Sequence, residues 1–378
     1  MTNRHIGRAK AVAQVSTITI GGTIAATDTF SVTIGTKAVT FTATTTTIAH
    51  VVAGLVAALN ASTAPTEHGE LTWADSSPTL TGTGDVKGVP HTITVSKTGA
   101  ANTISISTTT AATGPNHWDN ANNWTTGAVP LDGENWDLAN SNASIYYGWP
   151  SSTLTFPEVN VMDTFTGTFG LPEVNGLGYP EYRELWPSTV NITLARIEGQ
   201  NAGTIQFPSI STEVYSGNVI IRKNQGSSDL TIDVRGGSTV VAIPTGAVAI
   251  TAARVAPNAT LINQGANATL VTNAGNYASG NETITTLTTR GGTASVGKNP
   301  VTLNCYGGTA KLNGSNTVTT IVVGADFADG NAAIVDLTED LSTFTVTNIT
   351  LNGKGLIDDP HRRVSGATLT KNCARITT

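Results

Sequence analysis

The residues with most capacity for chemistry in this 378-residue chain are carboxylates that fall in local groups: Asp229 with Asp233, Asp326 with Asp329, and Asp336 with Glu339 and Asp340. Glycoside hydrolysis needs two carboxyl groups about 5 to 9.5 Å apart. Side chains four positions apart on one strand share a face but stand about 13 Å apart at the strand rise, too far for a retaining pair. The closer groups fall in expected loops, where solvated carboxylates are common, so none is assigned as acid, base or nucleophile. The stretch ADFADGN, residues 325–331, offers Asp326, Asp329 and Asn331 to calcium but lacks the alternation and terminal Glu of an EF-hand loop. His68 and His91 lie near expected turns with no partner at ligand spacing and read as surface or turn histidines. Cys305 and Cys373 form no CxxC pair and read as buried free thiols. Asn191, Asn258 and Asn348 open Asn-x-Thr triplets, which a Thr-rich chain produces by chance. No catalytic, cofactor or metal set is assigned.

Composition narrows the classes further. Only 12% of residues are charged, and Lys+Arg 20 against Asp+Glu 26 leaves a net charge of −6 with no basic patch of groove size. Nucleic-acid binding is not expected. No run of about 18 apolar residues exists to span a membrane as a helix. The start, MTNRHIGRAKAVAQV, lacks an uninterrupted apolar core and does not read as a signal peptide. Thr, Val, Gly and Asn are poor helix formers, while Thr and Val suit strands, so the expected class is mainly β.

Four segments follow from the pattern. Residues 1–14 form an arm without periodicity, of a kind that is disordered unless something holds it. Residues 15–113 read as a small α+β docking domain of ββαβββ type. Phe30, Val32 and Ile34 alternate, Gly35-Thr36 marks a hairpin, and Ile48, Val51, Val52, Leu55 and Leu59 keep helical spacing between a Thr46 or Thr47 cap and Asn60. The helix is expected to cover one sheet face. Residues 114–198 are a Trp/Tyr/Pro-rich cap and connection. Residues 199–378 carry strand, Gly-Gly, strand units at 230–241, 284–296 and 301–312, with Ile284, Val301 and Val318 spaced by 17. That period fits one coil of a parallel β-solenoid, with Gly236-Gly237, Gly291-Gly292 and Gly307-Gly308 supplying positive-φ turns. Loop insertions are expected at 242–283 and beyond Val323.

Three aromatic or charged groups are candidate interaction surfaces. Trp118, Trp124 and Trp136 either seal the open end of the solenoid core or form a sugar-stacking platform. Tyr179, Tyr182, Arg183 and Trp186 make an aromatic-proline knot suited to a lateral subunit contact or a ligand surface. Arg362 and Arg363, beside Asp358, Asp359 and His361, read as a charged C-terminal cap against edge growth, with a subunit contact as the alternative.

Taken as a series, RHIGRAKAVAQV, GPNHWDNANNWTTGAVP, GLPEVNGLGYPEYR and DDPHRRV resemble a group of tailed-bacteriophage and prophage virion proteins over nearly the whole chain. None of these segments is a catalytic signature. The resemblance implies a structural virion protein, a capsid decoration or a tail-associated component. Its partners would be the major capsid protein or other virion proteins, and it would form a homo-oligomer, with a trimer favoured. The alternative it leaves open is a receptor-binding spike or fibre whose partner is a host-surface glycan.

Overall fold

The computed structural model describes residues 2–198, 205–207, 209–221, 230–242, 249–324 and 332–372. The chain is mainly β, 52% strand and 6% helix, and residues 136–372 build a parallel β-solenoid of about 10 turns behind a set of antiparallel sheets.

The N-terminal module contains β2 (Val15–Gly22), β3 (Thr29–Ile34), β4 (Lys37–Thr42), α1 (Ile48–Leu59), β5 (Leu71–Ser76), β6 (Thr79–Gly84), β7 (Ile93–Lys97) and β8 (Asn102–Thr110). It holds two sheets rather than the single sheet expected, in the orders β5-β6-β2-β8 and β4-β3-β7. Alternation gives each sheet one apolar row, and both rows meet the same helix. Ile18, Ile20 and Leu80 of the first sheet join Phe30, Val32 and Ile34 of the second around Val51, Val52, Leu55 and Leu59. Each fully buried aliphatic contributes about 1.5–3 kcal/mol, so packing rather than capping holds α1. Thr47 occupies the cap position, but its hydroxyl makes no capping bond. Ile34 pairs with Lys37 across a two-residue turn in which Gly35 has φ +58°.

The arm is ordered. Strand β1 (Asn3–His5) lies parallel to β9 (Trp136–Leu138), pairing Asn3 with Trp136 and His5 with Leu138. Ile6 donates to Asn123 O, and Val12 donates to Thr113 O. The arm therefore covers the free edge of the first solenoid strand, where unpaired backbone groups would otherwise face solvent.

The solenoid begins at β9, not near Gly199, which lies outside the described residues. The stretch 138–198 looks irregular because its coils carry long Gly/Pro/Asn-rich excursions. Beneath them Leu154–Val161 and Val190–Ile197 still pair in parallel, Phe156 on Ile192 and Val161 on Ile197. Further on, one inward column runs Ile232, Ala253, Val271, Leu287, Leu303, Ile321 and Ile349, each paired with the next and all buried. Like stacks on like because a parallel ladder places equivalent positions one above the other.

The rungs are less uniform than a 17-residue period implies. Thr286 pairs with Thr302 and Thr302 with Thr320, steps of 16 and 18. Ile284 and Val318 are accordingly buried, while Val301 slips outward to 39% exposure. Residues 249–279 are ordinary rungs rather than an insertion. Residues 284–296 and 302–312 each form one strand that bends at its glycine pair. Only the second glycine of each pair is left-handed: Gly237 at +71°, Gly292 at +59° and Gly308 at +72°. The expectation that Gly291 and Gly307 share this conformation is corrected by the stacking. A Cβ on Gly292 would stand 1.9 Å from Gly275 O, and one on Gly308 2.4 Å from Gly292 O.

Candidate functional site

Residues 114–136 bring the sequence's three central tryptophans into one buried cluster. Trp118 meets Trp124 and Trp136 edge to face, with centroids 4.8 Å apart in both cases, and Trp124 lies 5.8 Å from Trp136. Their exposures are 2%, 2% and 0%. As candidate surface residues they are corrected: buried rings contacting Phe156 and Phe169 plug the first coil and present no face to a sugar. His5 from the arm seals the plug, 5.2 Å from Trp124. Burial pushes its imidazole down to about 4, against a backbone contact to Ala143 that acts the other way.

Asn123 is the polar hub of this cap and carried no weight in the sequence. Its Nδ2 donates to Gly114 O at 2.8 Å and His117 O at 2.7 Å, and its Oδ1 accepts from Ala9 N at 2.8 Å. One fully buried amide thus ties together the arm, the linker and the tryptophan loop. The only sequence signal is an Asn directly before a Trp, which any turn would also produce.

The second group forms an internal junction between the solenoid and the N-terminal module. Arg183 donates from Nε to Pro90 O at 2.8 Å and from Nη1 to Glu181 Oε1 at 2.9 Å, and its Nη2 reaches Glu70 Oε2. Tyr182 OH lies 3.0 Å from His91 Nδ1 and 3.4 Å from Glu70 Oε2. The side chains of Arg183, Glu181 and Glu70 are 8%, 2% and 11% exposed. Burial pushes the Glu70 carboxyl up, and the Arg183 charge pulls it back. Burial, followed by the Arg183 charge, holds His91 down at about 4. The polar ends of Tyr182 and Arg183 are therefore engaged within the chain. Tyr179 and Trp186, half-buried, complete the knot without joining the ion pairs.

His68 and His91 are buried, correcting the surface assignment. His68 Nε2 meets Lys37 O at 3.0 Å, and its ring packs beside Trp73. The junction borders a cleft of about 510 Å³ lined by Glu70, His91, Tyr147, Leu171, Leu177 and Arg183.

At the C-terminal end the two arginines separate. Arg362 is exposed, whereas Arg363 is 0% exposed and corrected as a surface residue. Its Nε donates to Ser342 O at 2.8 Å, Nη1 to Leu312 O at 2.6 Å and Nη2 to Gly314 O at 3.0 Å, with Asp340 3.4 Å away. A guanidinium carries five donors in a fixed fork, so it can serve carbonyls from several coils at once.

The grouped carboxylates are committed locally. Asp233 accepts from Arg235 at 2.9 Å, Asp336 accepts from Thr338 N at 2.9 Å, and Glu339 binds Lys311. Asp229 and the 325–331 stretch lie outside the described residues, as does Cys373. Cys305 is buried and free. Among the described residues no three His, Cys, Asp or Glu side chains gather as a metal set, and no helix is long and apolar enough to cross a membrane.

On the outer solenoid wall a groove of about 560 Å³ crosses the strands of residues 211–290. No family model, curated protein or solved structure matches the chain. The arrangement as it stands is a mainly β chain in which a two-sheet module is clamped to a capped parallel β-solenoid.

Proposed function

We propose that this chain is a non-enzymatic structural component of a tailed-phage or prophage virion, an auxiliary head protein that decorates the particle and docks through its N-terminal region. The observation that carries the reading is the clamp. The arm, the two-sheet module and the first coils are joined by β1 on β9, by Asn123 and by the Arg183 pairs. Such a join transmits force from an anchor to a projecting rod. The segments that resemble virion proteins include GPNHWDNANNWTTGAVP and GLPEVNGLGYPEYR, which supply the cap and the junction.

Mass spectrometry of purified particles tests this, followed by a cryo-EM map of the particle surface. The expected result is stoichiometric presence on the capsid, with the N-terminal module inward and copies related by a closed rotation such as a threefold. Absence from purified particles refutes it, and density confined to the tail refutes the head assignment.

A further inference from the structure

The outer-wall groove carries a charge pattern that the virion reading does not use. Along one outward column the register runs Arg196, Glu213, Asp233, Arg254. Glu213 and Asp233 each have a guanidinium beside them, with two guanidiniums serving three carboxylates because Arg196 also binds Glu158. Arg196 Nε lies 3.3 Å from Glu213, and Arg235 lies 2.9 Å from Asp233 and 3.7 Å from Glu213. Arg235 also stacks on Tyr215 at 4.7 Å. Arg254 and Arg290 are different. Both are exposed and line the groove, and neither makes an ion pair among the described residues. Among the described residues the Arg290 guanidinium meets the Tyr306 ring at 5.6 Å. On a chain of net charge −6, this wall therefore presents two guanidiniums outside any ion pair among the described residues.

The groove between them is cut by small side chains, Ala252, Ala256 and Ala274, with Leu270 at its edge 41% exposed. Arg254 sits on strand Ala249–Val255 and Arg290 two rungs further on, in Ile284–Val296. At the spacing of neighbouring strands that separates them by about 10 Å along the solenoid axis. A nucleic acid presents a charge every ~1.7 Å of duplex or ~3.4 Å of single strand. That is too dense for two cations at this interval with carboxylates beside them. A linear polysaccharide with a carboxylate on alternate sugars has the sparser charge this interval suits.

We propose that the groove binds a carboxylated polysaccharide. Arg254 and Arg290 take carboxylates through their planar forks. Glu213 and Asp233, held in place by Arg196 and Arg235, accept hydroxyl hydrogens from the sugar. The alanine floor and Leu270 take the apolar ring faces. No bond is made or broken in this site, and it is independent of where the protein sits on a particle.

Isothermal titration of the full chain tests it, using hyaluronate oligomers, which carry a carboxylate on alternate sugars, their methyl-esterified forms, oligogalacturonate, and single-stranded DNA. Hyaluronate oligomers are expected to bind best, weakening with salt, and the esters to bind at least about tenfold more weakly, since a charge-assisted hydrogen bond is worth that factor or more. Arg254→Ala and Arg290→Ala should each lose about tenfold while melting as the parent does, because both side chains are exposed. Ala252→Gln keeps both guanidiniums and fills the floor, and it should also abolish binding. Equal affinity for acid and ester, binding that survives Arg254→Ala/Arg290→Ala, preference for DNA, or no binding to any carboxylated oligomer each overturns the proposal.

Discussion

Replacing Arg183 by Met probes the junction most directly. Met keeps most of the aliphatic stem and removes the guanidinium, leaving Glu181 and Glu70, at 2% and 11% exposure, facing each other without their shared cation. Breaking a buried pair by removing one partner costs about 3–5 kcal/mol. Losing the bond to Pro90 O strands a carbonyl and adds about 1 kcal/mol or more. The expected loss at neutral pH is about 4–6 kcal/mol, read from urea unfolding followed by tryptophan fluorescence. It has a pH signature. Glu70 is already pushed up by burial and restrained by Arg183, so removing Arg183 raises it further. A carboxyl whose folded value lies above its unfolded one favours the fold while protonated, and that contribution is lost as pH rises through the folded value. The deficit should therefore be largest near pH 7–8 and shrink toward pH 5. Adding Glu70→Gln to Arg183→Met should restore a substantial part of the loss. A deficit under about 1 kcal/mol, or one that grows on acidification, would falsify the assignment of this junction as a buried ion-pair clamp.

The remaining predictions concern the cap, the corner and the C-terminal plug. Arg363→Ala should cost about 3–5 kcal/mol by stranding the carbonyls of Ser342, Leu312 and Gly314, and Arg363→Lys should recover only part of it because an ammonium cannot fork; denaturant melts of the two variants decide. Gly292→Ala should destabilise by about 2–5 kcal/mol and more than Gly291→Ala, since only Gly292 is left-handed and stacked on Gly275 O; equal melting temperatures would reverse the corner assignment. His5 and His91, each held down at about 4 against an ordinary 6.5, stabilise the fold fully above pH 6.5 and lose that contribution as pH falls toward 4. Each should cost about 3 kcal/mol by then, so His5→Phe should remove about that much of the stability lost between pH 7 and 4, read from denaturant melts at both pH values.

Much of the architecture was readable because it rests on local periodicity. The i, i+3, i+4, i+7 spacing of Ile48, Val51, Val52, Leu55 and Leu59 placed α1 at its observed ends, the Thr/Val/Gly composition pointed to a mainly β chain, and the repeat near 17 residues pointed to a solenoid. What was misread depends on partners distant in sequence. The first coils were hidden because Phe156 and Ile192 stack across a 36-residue excursion with no visible period. The even spacing of Ile284, Val301 and Val318 conceals unequal steps of 16 and 18, which leave Val301 outward.

The candidate sites divide along the same line. Residue type identified Trp118, Trp124, Trp136, Tyr182, Arg183 and Arg363 as unusual, since aromatics and arginines stand out in a chain only 6% aromatic and 12% charged. It could not say whether they face solvent. Burial of a side chain is set by which strands pair above and below it, and those pairings join residues more than a hundred positions apart, such as Asn3 and Trp136. The groove at Arg254 and Arg290 arises the same way, from three alanines and two arginines that become neighbours only when coils of unequal length stack in register. The sequence by itself therefore determined the kind of repeat and the presence of a cap. Tertiary structure alone decided which polar groups are consumed inside the fold and which are left to bind something else.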